Sequence, residues 1–340
     1  MSAADSSTPA GLVDLAAARI GGVALVANDE FFAEKENLLQ PGRGIFIPDK
    51  YTDHGKWMDG WETRRRRSPG HDWCVVQLGL RGIVKQVDID TNHFLGNHPP
   101  FASLDALCLT TEFPRELTSL DQLPWRTLLA KSPLNPGSQN LFQVEANEPA
   151  THIRLNIIPD GGVARLRIYG TVVPDWSKTK PGELVDLAAV ENGGVPLACS
   201  DMFFSSMNNL IMPGRSANMG DGWETKRRRA PGYDWIILKL GLPGAIQKIE
   251  VDTNHFKGNY PDTCSIEGCL APGATIDDLT NSKTEWKEVL SKTKLEADKR
   301  HFFENELTPP GECTHLRLNI YPDGGVSRLR VWGKPRLPNE

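Results

Sequence analysis

The chain has 340 residues, 39% of them hydrophobic and 24% charged, with a formal net charge of -5. That length exceeds one ordinary hydrophobic core and predicts two domains, while the acidic balance argues against a general nucleic-acid partner, which needs surplus Lys and Arg to displace counterions. No apolar run approaches the roughly 20 residues that cross a bilayer, and the opening MSAADSSTPA lacks the basic flank and apolar core of a secretory leader; an intracellular, cytoplasmic protein with no membrane partner is expected.

In chain order, Val13 to Arg19 (VDLAAAR) is predicted as a short helix, and its Asp14-Leu-Ala-Ala-Ala returns as Asp186-Leu-Ala-Ala-Val. Glu36 to Arg43 (ENLLQPGR) returns as Asn208 to Arg215 (NNLIMPGR), again 172 positions on. DGWETRRRR from Asp59 and DTNHF from Asp90 return from Asp221 and Asp252, now 162 positions on. The first copy therefore carries ten extra residues between Arg43 and Asp59, in a region holding Asp53, His54, Lys56 and Trp57. A loop elaborated in one copy is expected to cover a site or a subunit contact. WCVVQLGL (Trp73 to Leu80) and IVKQVDIDT (Ile83 to Thr91) follow strand periodicity and predict two strands. HIRLNII from His152 and VARLRIYG from Val163 predict two more, joined by a PDGG hairpin at Pro159 to Gly162. This block, too, is copied, from Thr314 onward. Helix is expected once more, in Asp277 to Trp286, with Asp277 or Asp278 as cap. Short strands, frequent turns and the repeat give an all-β fold of two tandem antiparallel sandwiches of the jelly-roll kind: 12–172, a Pro/Gly-rich linker 173–183, and 184–335.

Of the six cysteines, Cys74, Cys108, Cys199, Cys264, Cys269 and Cys313, only Cys108 and Cys269 correspond between the halves. A disulfide framework would recur with the repeat, so free thiols are expected. Cys264 and Cys269 fall on opposite faces of one strand without zinc-site spacing.

Two duplicated constellations carry chemistry. In DGWETRRRR, a strand would put Glu62, Arg64 and Arg66 on one face and Trp61, Thr63, Arg65 and Arg67 on the other. Such guanidinium groups suit an anionic, carboxylate-bearing ligand, but the same pattern also fits a solvated ladder on an edge strand. DTNHFLGN places Asp90, Asn92, His93 and Asn97 at a strand end, where sandwiches build sites. Asn matches an amide-like group and His titrates near neutrality; equally, Asp90 and Asn92 tie off turns by local hydrogen bonds. His152 and His315 lie on strands and read as core or interface. No nucleophile elbow, P-loop, zincin motif or dinucleotide fingerprint is present.

The combination of DEFFAEKENLL, MDGWETRRRRSPGHDWC, DTNHFLGN, GDGWETKRRR, DTNHFKGNYPD and PDGGVSRLRVWG resembles the allantoicase family across residues 12 to 333. The resemblance implies hydrolysis of allantoate to ureidoglycolate and urea, and two jelly-roll modules similar to galactose-binding domains. On it rest the following assignments. Arg64 and Arg66, or Lys226, Arg227 and Arg228 in the copy, bind the carboxylate. Asn92 and Asn97, with Asn254 and Asn259, hold a ureido arm. His93 with Glu62 or Asp90 moves protons, as do His255, Glu224 and Asp252 in the copy. No cofactor is expected and a divalent metal is left open; a homo-oligomer is expected. The rival reading is a non-catalytic tandem jelly roll that binds carbohydrate or a small anion. Whether one or both modules react is not set by the sequence.

Overall fold

The computed structural model describes residues 8–114, 117–281, 283–308 and 310–338; part of the opening decapeptide and Ser282 of the second predicted helix lie outside them. Leu12–Val173 forms one compact unit and Pro174–Glu340 the body of the other. Each is built on one eight-stranded antiparallel sheet assembly, and the two match strand for strand. In the first, the order is Val13–Asp14, Arg165–Val172, Asp72–Asp90, Ala150–Ile158, Phe101–Leu107 and Arg126–Pro133, with Val23–Ala27 and Leu141–Gln143 also on Asp72–Asp90. In the second it is Val185–Asp186, Arg328–Pro335, Asp234–Asp252, Glu312–Tyr321, Thr263–Cys269 and Lys287–Lys294, with Val195–Cys199 and Arg300–Phe303 on Asp234–Asp252. No helix of the described residues is long and apolar enough to cross a membrane.

The two strands expected between Trp73 and Thr91 are one, Asp72–Asp90, 19 residues long. It changes partners midway. Its first half pairs with Val23–Ala27 and Ala150–Ile158, its second with Leu141–Gln143 and Arg165–Val172. The switch falls at Gly79 and Gly82, where a Cβ would stand 2.4 Å from the Ile20 carbonyl oxygen and 2.6 Å from that of Thr171. Only glycine permits backbones to approach so closely.

VDLAAAR is not a helix. Val13–Asp14 is a strand and Ala18–Ile20 a 3-10 turn, because Asp14 caps the Ala16 and Ile168 amides (3.2 and 3.0 Å) and Leu15 and Ala16 are fully buried against the sheet. PDGG is not a hairpin turn either. The strands flanking it pair with other elements, and Gly162–Val163 between them pairs with Trp61–Glu62; the motif is a corner between layers, with Gly161 at φ 138. The second predicted helix is a single turn, Ile276–Thr280, and its cap is Thr275, in a reciprocal pair with Asp278.

Ile153, Leu155 and Ile157 are fully buried, as the alternation requires. Arg165 and Arg167 are buried as well, held by Asp59 (2.7 Å) and by the Gln40 and Gly42 carbonyls (2.6 and 2.7 Å). All six cysteines are free; burial pushes the Cys264 and Cys269 thiols up to about 12 and about 11. His152 and His315 are buried, and burial lowers both to about 4.

Candidate active site

The site begins with a short strand. Trp61–Glu62 lies between Gly162–Val163 and Ala33, and the Glu62 amide and carbonyl are both bonded to Ala33 (3.1 and 3.3 Å). Alternation sends Trp61 inward, where it is fully buried and donates from Nε1 to the Asp29 carbonyl at 2.8 Å, and sends Glu62 outward. Trp223 does the same with Asp201. Neither indole is exposed as a platform for a sugar ring.

The second element is the turn after Asp90. Thr91 is buried and donates to the carbonyl of Asn135 (2.6 Å), the Asn92 amide donates to Asp90 (2.9 Å), and the Phe94 amide closes the turn on Thr91 (2.9 Å). Phe94 is fully buried with Met58 and Ala164, and the adjoining Gly162 has no space for a side chain, since a Cβ there would stand 2.0 Å from the ring. Locking Phe94 inward leaves His93 at φ 68, in the left-handed region that a β-substituted residue adopts only under constraint.

These elements converge on a cleft of about 350 Å³. Phe32, Phe46, Met58 and Leu95 give it apolar walls, and Glu62, His93, Asn97, His54 and Lys56 give it polar groups. Burial raises the Glu62 carboxyl above its ordinary value, opposed by the Asn97 amide, which donates to Oε1 at 2.6 Å. The His93 ring stands 5.6 Å from that of Phe46. Glu62, His93 and Asn97 were read from the sequence. His54, Lys56, Phe46 and Met58 come from the first module's extra segment, and what marked them was the broken repeat rather than any motif.

The arginines are elsewhere. The strand ends at Glu62, so the run beyond Thr63 forms no ladder on a common face. Arg64 is exposed and paired with Asp29 (Nε 2.7 Å, Nη2 2.6 Å); Arg66 pairs with the buried Asp72 at 2.6 Å. In the copy, Lys226 pairs with Asp201 at 3.3 Å, Arg228 with Asp234 at 2.6 Å, and Arg227 is exposed. Asp90 is buried in a two-pronged bond to Arg43 (2.8 and 2.9 Å), and Asn92 donates to the Gly44 carbonyl at 2.7 Å. These groups organise the turn and do not line the cleft.

The second module keeps part of this arrangement. Glu224 accepts from Asn259 and is likewise raised by burial. His255, at φ 70, has its Nε2 within 2.9 Å of the Ser216 carbonyl, and Asn254 donates to the same carbonyl at 3.3 Å. Met219 Sδ lies 3.8 Å from the Asn259 amide. A larger cleft of about 440 Å³ lies around Asp252, Glu250, Arg215, Arg300, Arg328 and Arg330. Each of its arginines has a partner within the module: Arg215 has Asp252 (3.3 Å), Arg300 has Glu250 (3.0 Å), Arg328 has Asp221 (2.9 Å) and Arg330 has the Gly214 carbonyl (2.8 Å). Size alone therefore does not make it the reaction site, and it lacks the His/Glu/Asn grouping of the first module's cleft.

The model of the allantoicase repeat matches residues 13–173 and again 185–336. The chain is 51% identical over 321 residues to a probable allantoicase of Burkholderia mallei, covering 94% of each chain. It is 49% identical to the allantoicase of Dictyostelium discoideum, covering 94% of this chain and 86% of that one. The crystal structure of allantoicase from Saccharomyces cerevisiae superposes with a TM-score of 0.80 at 39% identity, covering 95% and 93% of the two chains. With both repeats matched and relatives aligned nearly end to end, this chain belongs to the allantoicase family.

Proposed function

We propose that the cleft of the first module is where this chain, as an allantoicase, hydrolyses allantoate to ureidoglycolate and urea. The reaction replaces one ureido group on the central carbon by hydroxyl. Water loses a proton as its oxygen bonds to that carbon, the carbon–nitrogen bond breaks, and the departing nitrogen takes a proton to leave as urea. Glu62 is the base for water, because burial makes its carboxylate a stronger base than an exposed one. His93 supplies the proton to the leaving nitrogen. Asn97 fixes Glu62 and offers its amide to the retained ureido arm. The apolar walls limit water and strengthen each polar contact.

The observation that carries this reading is the convergence of Glu62, His93 and Asn97 on one cleft. In the copy, the imidazole is engaged by the Ser216 carbonyl and Met219 stands against the Asn259 amide. Urea release by Glu62→Gln and His93→Asn, beside Glu224→Gln and His255→Asn, tests it. Loss of general acid–base catalysis should lower kcat by about 100- to 10,000-fold in the first pair only; full turnover in the first pair removes this cleft from the reaction. We further propose a cytoplasmic homo-oligomer, supported by the exposed Met202, Phe203 and Phe204. A monomer in sedimentation would refute the assembly.

A further inference from the structure

The substrate's carboxylate needs a cation, and Arg64 and Arg66 are engaged with Asp29 and Asp72. Lys56 is the one Lys or Arg among the described residues that line the first-module cleft. We infer that Lys56, carried in by the segment unique to the first module, binds the substrate carboxylate and thereby selects the acid over its neutral analogues. This rests on the first-module cleft being the site of hydrolysis.

The hairpin Tyr51–Thr52 and Gly55–Lys56 presents the side chain. The ammonium is held by the Pro48 carbonyl and stands 4.9 Å from the Phe46 ring centre and 4.8 Å from that of Tyr51. Ring faces attract a cation without neutralising it, and among the described residues Lys56 forms no ion pair. It is half-buried at an apolar wall, where its charge is less screened than on open surface. A positioned ammonium with no carboxylate partner is suited to receive one from the substrate. The copy has no equivalent. Ser216 to Gly220 (SANMG) contains no cation, and Lys257, which stands where Leu95 does, is drawn to Asp298 at 3.9 Å.

Full-length protein with Lys56→Met or Lys56→Arg is assayed for urea release from allantoate and from its carboxamide, in which the carboxylate is replaced. Losing one hydrogen bond to a charged group predicts that Lys56→Met raises KM for allantoate about 10- to 100-fold, with kcat within about threefold because the carboxylate is not the reacting bond. Lys56→Arg restores most of the affinity, and the preference of the native protein for the acid over the carboxamide disappears in Lys56→Met. An unchanged KM, or a preference that survives Lys56→Met, overturns the assignment. If Glu62→Gln loses turnover while Lys56→Met keeps its KM, Lys56 alone is wrong; if Glu62→Gln keeps full turnover, the site reading falls and Lys56 with it.

Discussion

Asn97 sets the working range of the proposed base. Its amide donates to Glu62, and that bond favours the ionised carboxyl against the burial that disfavours it. Removing the donor by Asn97→Leu should therefore raise the Glu62 value further above normal. For a base, activity is lost as pH falls through its pKa, so the acid limb of kcat/KM should move to higher pH, by about one unit for one charge-assisted bond. A pH profile with an unmoved acid limb would show that Glu62 is not the group titrating. Arg66 makes the opposite point about residue types. An arginine beside a carboxylate suggests anion binding, yet Arg66 and Arg228 each serve a buried aspartate of their own module, Asp72 and Asp234, both at 2.6 Å. Those aspartates in turn bind Asn28 (3.0 Å) and Ser200 (2.9 Å), so the charge is used to staple loop to sheet.

Among the elements, the ten extra residues distinguish the modules most sharply. Replacing Gly44 to Met58 by the SANMG of the copy should leave a folded protein, because the flanking Arg43–Asp90 and Arg165–Asp59 bonds lie outside the exchanged stretch, at a cost of about 2–5 kcal/mol from losing the buried Met58. Urea release should fall to the level of His93→Asn, and a graft that keeps native turnover would show that the segment is not part of the site. How much of this was legible follows from what kind of information each element carries. The repeat, the strand periodicity and the inward Ile153, Leu155 and Ile157 are local patterns and could be read directly. Glu62, His93 and Asn97 stand out in the duplicated DGWET and DTNHFLGN motifs by residue type: a carboxylate, an imidazole and an amide. The single long strand was read as two because its Gly79 to Gly82 stretch looks like a turn; only the approach of Ile20 and Thr171 shows that the glycines pass between backbones. The Ala-rich VDLAAAR has helical propensity, which is a local property, whereas its conformation is fixed in part by the Ile168 amide, 154 positions away. Where the hairpin of Lys56 points depends on tertiary packing, and no spacing rule encodes that.

Across the whole molecule, the proposed chemistry draws on residues 32 to 97 alone, although the two modules share one plan. A cavity in the second core, made by Leu318→Ala at a fully buried position, should cost about 2–5 kcal/mol of stability. Turnover per folded molecule at moderate temperature should be unchanged; a proportionate loss of kcat in the folded protein would mean that the second module takes part in the reaction. The shared plan also dictates the order in which the protein can be made. The central strand Asp72–Asp90 takes one partner from Val23–Ala27 and its last from Arg165–Val172, so almost every ladder spans a long stretch of chain and must close a large loop before it is rewarded. During synthesis the first module therefore stays open, with unpaired strand edges, until residue 172 has left the ribosome, and the cleft around His93 stays incomplete with it, because Gly162 against Phe94 is among the last contacts to arrive. That interval, rather than the finished fold, is when this chain is most exposed to mispairing between two halves built on the same strand order.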